Sequence, residues 1–200
     1  MGNTKGFSLI EVMITIAVIA VVGGLSLAIF TQTLSTSRQS GSLSDLKQNG
    51  ERAANIIAEV VRNAEAIICY GPADGMTKNI VVVRTAAGKY TRFRFAPPSP
   101  PTGTPTQNGY IARLDNLTTA QLSGPNALSE FCSLGNNGET IITNNNSQSG
   151  VSISDGQFIR ISGNLSKDTI SVSFNVNPSL TSGGTMGSNS QHIETTVQVR

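Results

Sequence analysis

Glu11 is the residue whose chemistry needs explaining first. It is the only charged side chain in the stretch "FSLIEVMITIAVIAVVGGLSLAIF", from Phe7 to Phe30. A carboxylate in apolar surroundings is tolerable only when a cation or hydrogen-bond donors meet it. Elsewhere, groups able to do catalytic work are sparse. His192 is the single histidine and lies in a polar stretch beside "SNSQ", where it reads as a lone surface histidine. Without a second histidine, neither a Ser-His-Asp triad nor a multi-histidine zinc site can be built, and no Walker-type loop or paired cysteine motif occurs. Asp155 and Glu139 stand in Asn- and Gly-rich stretches that could hold calcium, but they lack a recognised loop spacing and read as turn residues. The expectation is a chain with no catalytic residues, no metal and no cofactor.

Glu11 must be positioned by the element around it. As a helix, residues 7–30 would reach about 36 Å, against about 30 Å of bilayer hydrocarbon, so the run is long enough to span. It is apolar around its whole circumference, unlike the one-sided helix of a small soluble core. Lys5 would stay cytoplasmic, leaving the bulk of the chain outside. One alternative is a secretory signal peptide cut near "VVGGLS". Against it stand the length of the run and a carboxylate that weakens insertion by about 2.5–3.5 kcal/mol. A second alternative is a single-pass anchor that tolerates a charge near the interface.

The segment "KGFSLIEVMITIAVIA" resembles the leader junction and first helix of type IV pilins and of the pseudopilins of type II secretion. The resemblance joins Gly6, the aromatic Phe7, Glu11 five residues past the glycine and a long apolar helix. It covers roughly residues 1–30. It implies cleavage by prepilin peptidase between Gly6 and Phe7 and N-methylation of Phe7. Glu11 would then compensate the new α-amine, within the chain or in a neighbouring subunit, which implies a role in setting the step between subunits.

Beyond Phe30 the pattern turns amphipathic. Leu43, Leu46, Ala53, Ile57, Val60, Ala64 and Ile67 or Ile68 recur at steps of three or four, while Arg52, Glu59 and Arg62 take other angles. One helix from Phe7 to about Ile67 is expected, embedded first and then laid on a globular head. Gly23, Gly24, Gly41 and Gly50 are candidate points for bends, or, at Gly23 and Gly24, for close helix packing.

After Tyr70 the period becomes that of strands. "IVVVRTAAGKYTRFRF" predicts a hairpin turning near Ala87 and Gly88, with Tyr90, Arg92 and Arg94 on one side and Thr91, Phe93 and Phe95 on the other. "APPSPPTGTPTQNG" reads as an extended loop. Further strands are expected at 109–114, 140–143, 157–162, 169–176 and 193–199. The fold class is therefore α+β: a long N-terminal α-helix, membrane-embedded in its first half and amphipathic in its second, packed on an antiparallel β-sheet head. The organisation reads as a leader over 1–6, a transmembrane or filament-core helix over 7–30, an amphipathic helix over 31–68 and an extracytoplasmic β-rich head over 69–200.

If the head lies outside the inner membrane, Cys69 and Cys132 are expected to pair, restricting the unfolded chain by about 4 kcal/mol; otherwise they are two buried thiols. The chain carries 14 basic and 12 acidic residues, so overall charge implies no nucleic-acid coat. Locally, Lys78, Arg84, Lys89, Arg92, Arg94 and Arg113 run without an acid among them, interleaved with Tyr90 and Phe93. Arg84, Lys89, Arg92 and Arg94 could meet DNA phosphates. The competing reading, a solvated hairpin face balanced by acids elsewhere, is favoured.

The sequence thus points to a structural subunit, minor rather than major, of a type IV pilus or type II secretion-like filament. Its implied partners are prepilin peptidase, other pilin subunits and an inner-membrane assembly platform. It would reside in the inner membrane, single-pass, before assembly into a pilus or pseudopilus. The alternative is a pilin-like binding protein whose head takes DNA, a surface or a secreted substrate.

Overall fold

The computed structural model describes residues 6, 8–70, 79–99, 107–117, 138–147, 149–161, 168–180 and 190–200. The chain divides into two compact units, Met1–Ser42 and Leu43–Arg200. Helix α1, Leu9–Arg62, contributes to both.

In the first unit, α1 begins as the Ser8 carbonyl accepts from the Glu11 and Val12 amides at 3.0 and 3.2 Å. Glu11 lies in the first turn, where the helix dipole favours an anion. Gly23, Gly24 and Gly41 lie within the continuous helix, each with open space where a Cβ would stand. The few hydroxyls turn back onto their own helix: Thr15 Oγ1 donates to the Val12 carbonyl and Ser26 Oγ to that of Val22, both at 2.8 Å. Polar groups in an apolar stretch are thereby satisfied without outside partners.

In the second unit, α1 buries Leu46, Ala53, Ile57 and Val61, with Leu43 and Val60 partly buried beside them. The helix ends earlier than the amphipathic pattern suggests. Residues 64–68, read as its last turn, belong to strand β1, Ala64–Tyr70. "AEAIICY" is rich in β-branched and aromatic residues, and once paired it places Ile67 in the main core and Ile68 with a smaller cluster on the far face. The strand is hidden because its pairing shifts register between Ala64 and Ala66, which leaves Ala64 and Ile67 facing the same core at a helical spacing of three.

Strands β2 (Ile80–Thr85), β3 (Tyr90–Ala96), β4 (Tyr110–Leu117) and β5 (Thr140–Ile141) follow β1 in one antiparallel sheet ordered β1-β2-β3-β4-β5. The β2–β3 hairpin is the one the sequence suggests, with Gly88 at φ 70° in the turn. Strands β6 (Val151–Ile161), β7 (Thr169–Pro178) and β8 (Gln191–Gln198) form a second sheet, ordered β6-β7-β8. The sequence suggested a single sheet, and β6 begins six residues before the expected strand. A bulge between Ser154 and Gln157, with Asp155 at φ 52°, breaks the alternation that would have revealed its first half.

Both sheets contribute to one core with the helix. Phe93, Phe95 and Ile111 from the first sheet meet Phe158, Val172 and Phe174 from the second. The Phe95 ring lies 4.6 Å from that of Phe158 and 5.6 Å from that of Phe174. Gly50 was a candidate bend; it is instead a point of close approach. A Cβ there would stand 2.7 Å from Ile193 Cγ1 and 2.9 Å from Val176 Cγ2. The helix can lie this close to β7 and β8 only because the side chain is missing.

Candidate assembly helix and the cations of the head

The first candidate site is the start of α1. Gly6 is exposed, Phe7 lies outside the described residues, and Glu11 is exposed in the first helical turn. Around and after Glu11, Leu9, Ile10, Met13, Ile14, Ile16, Val18 and Ile19 are all more than half exposed. An 18-residue window of the helix has a mean hydropathy of 2.6 and none of it is buried. A continuous apolar surface of this kind requires lipid or other protein around it. What the arrangement offers chemically is one anion on an otherwise apolar rod.

The second candidate is the cationic hairpin. The structure brings Arg92 and Arg94 together on a single carboxylate. Arg92 Nη2 donates to Glu139 Oε1 at 2.7 Å; Arg94 donates from Nε to Oε1 at 3.0 Å and from Nη2 to Oε2 at 2.5 Å. The Arg92 side chain is 0% exposed, Glu139 5% and Arg94 12%. The Tyr110 ring stands 5.7 Å from the Arg94 guanidinium carbon. Hydrogen bonding to Glu139 raises the Arg94 pKa above the ordinary arginine value, outweighing burial, which lowers it.

This arrangement corrects two expectations. The hairpin face carrying Arg92 is not solvated, and Glu139 is no turn residue but the shared partner of two guanidiniums. Arg84 sits 3.6 Å from Glu65, and Arg113 2.8 Å from Asp115. Lys89 is exposed in the hairpin turn, and Lys78 lies outside the described residues. Arg84, Lys89, Arg92 and Arg94 therefore do not share one exposed face. A long basic run without a local acid was the signal that a distant carboxylate must supply the balance.

Cys69 is buried on β1 with Val82 and Tyr90, while Cys132 lies outside the described residues. His192 is exposed, as expected. Its Nδ1 is 2.8 Å from Asn175 Oδ1, and its Nε2 is 4.0 Å from Glu194. Asp155 belongs to the β6 bulge rather than to a loop, its Oδ2 accepting from Asn175 Nδ2 at 2.9 Å and Ser154 Oγ at 3.1 Å. Among the described residues no cluster of three or more His, Cys, Asp or Glu side chains could hold a metal.

Residues 1–27 match the family model of the prokaryotic N-terminal methylation motif, the prepilin signal of type IV pilins and pseudopilins. Compared with curated proteins and with solved structures, the chain shows no significant match. The motif marks a pilin-like protein processed by prepilin peptidase and assembled with other pilin subunits. The apolar helix that follows fits membrane anchoring before assembly into a filament.

Proposed function

We propose that this chain is a minor structural subunit of a type IV pilus or a type II secretion-like filament. Prepilin peptidase cuts between Gly6 and Phe7, and Phe7 becomes the methylated N-terminus. The helix crosses the inner membrane once, with the head on the extracytoplasmic side, until an assembly platform moves it into the filament. There Glu11 pairs with a Phe7 α-amine, its own or a neighbour's, and each subunit settles in the register that supplies this cation. Cys69 and Cys132 form a disulfide in the oxidising compartment.

The observation that carries this reading is the methylation motif on a helix whose apolar surface is wholly exposed around Glu11. Mass spectrometry of assembled material tests it. A mature chain beginning at N-methyl-Phe7 is expected, and an intact Met1 in assembled filaments overturns the reading.

A further inference from the structure

We propose that Asn108–Gly109 is a deamidation site that the folded head holds shut, so that the dipeptide converts only when the head opens and the product keeps it from closing again. Glycine after asparagine favours this reaction, because without a side chain the backbone is free to swing its nitrogen onto the amide carbon. The Gly109 nitrogen releases its proton to water and bonds to Asn108 Cγ; the Cγ–Nδ2 bond breaks, and Nδ2 takes up a proton and leaves as ammonia. Water then opens the cyclic imide at either carbonyl, giving aspartate or isoaspartate. One water is consumed and one ammonia released.

The structure demands both residues. A Cβ at Gly109 would stand 2.9 Å from the Ala96 carbonyl oxygen and would collide with that of Ile153. The Gly109 amide donates to Ser152 Oγ at 3.1 Å, and its carbonyl accepts from the Ile153 amide at 2.9 Å, which joins the entry of β4 to β6. Asn108 is 6% exposed. Its Nδ2 faces the Asn146 carbonyl at 2.9 Å, Ser179 Oγ at 3.0 Å and the Asn145 carbonyl at 3.3 Å, while its Oδ1 accepts from the Leu180 amide at 3.0 Å. That last bond fixes which end is nitrogen, since a backbone N–H donates only to the oxygen.

The same contacts block the reaction. Cγ is held by partners on both sides of the amide, the attacking nitrogen is engaged with Ser152, and the buried site must admit water and release ammonia. Each barrier falls only on opening. Once aspartate has formed, an anion stands where two donor hydrogens met carbonyl oxygens, and its burial is no longer compensated. Isoaspartate adds a methylene to the main chain at the junction of the two sheets.

Mass spectrometry of the tryptic peptide Phe95–Arg113, in which Asn108 is the sole asparagine, tests this on the full chain. Chains held in detergent micelles in mildly alkaline buffer are compared with chains in concentrated urea. Conversion in micelles is expected to be at least about a hundredfold slower, because it follows the population of the open form. Ser152→Ala, which removes the acceptor of the Gly109 amide, should speed it at least about tenfold in micelles and leave it unchanged in urea. Asn108→Asp, nearly identical in shape, should lower the denaturation midpoint or prevent refolding from urea. Equal rates in micelles and urea, no conversion in urea, a Ser152→Ala rate in micelles equal to the parent's, or a parental midpoint in Asn108→Asp overturns the proposal.

Discussion

Arg92 and Glu139, 47 positions apart in the chain, meet at 2.7 Å with both side chains almost wholly removed from solvent. Charges placed so deeply are secure only together. Removing one leaves the other desolvated without compensation, whereas replacing all of them by apolar groups can be neutral or favourable. Glu139→Gln should therefore lower the unfolding free energy by about 3–5 kcal/mol, measured by chemical denaturation of the full chain. Exchanging Arg92, Arg94 and Glu139 together for apolar residues of similar volume should cost less than the single change. A larger loss in the triple variant would refute this account.

The same contact bears on pH. A folded-state pKa raised above the unfolded value gives stability that is fully present below the unfolded pKa and fades as pH climbs through the folded one. Arg94 is shifted upward. Its contribution should be constant from neutral pH to the alkaline edge of the arginine range. Denaturation midpoints of the parent and Arg94→Met chains should keep a constant separation between pH 6 and about pH 10.

Gly50 and Gly41 separate packing from helix propensity. Alanine at Gly41 enters open space and should stabilise the helix by up to about 1 kcal/mol. The same change at Gly50 drives a methyl group against Ile193 and Val176 and should destabilise by about 1–3 kcal/mol despite the better propensity. Thermal melts of the two variants should move in opposite directions.

Glu11 has no part in the buried core of the second unit. Glu11→Ala should leave the denaturation midpoint of the head within about 0.5 kcal/mol of the parent while sharply reducing filament yield. Normal yield, counted by electron microscopy of sheared material, would remove the assembly role proposed for this acid.

The elements that the sequence reveals are those with one clear period. The apolar stretch around Glu11, the hairpin from Ile80 to Ala96 and the strand β7 are readable because each carries one plain pattern, a continuous apolar run such as "IVVV" or an alternation such as "ISVSFNVN". What stayed hidden depends on register shifts or on partners far apart. Ala64 and Ile67 keep a helical spacing of three although they belong to a strand, because the pairing with β2 shifts register between Ala64 and Ala66 and so turns both to the same core. The bulge at Asp155 interrupts β6. The pairing of Glu139 with Arg92 and Arg94 could be suspected from charge balance but not assigned, since several carboxylates were equally available along the chain.

Thr15 and Ser26 close their hydroxyls onto carbonyls of the helix that bears them. A segment so self-contained asks nothing specific of its medium except low polarity. Such a rod can trade fatty-acyl neighbours for aliphatic side chains with little change in solvation, leaving a single carboxylate as the group by which one environment differs from the other.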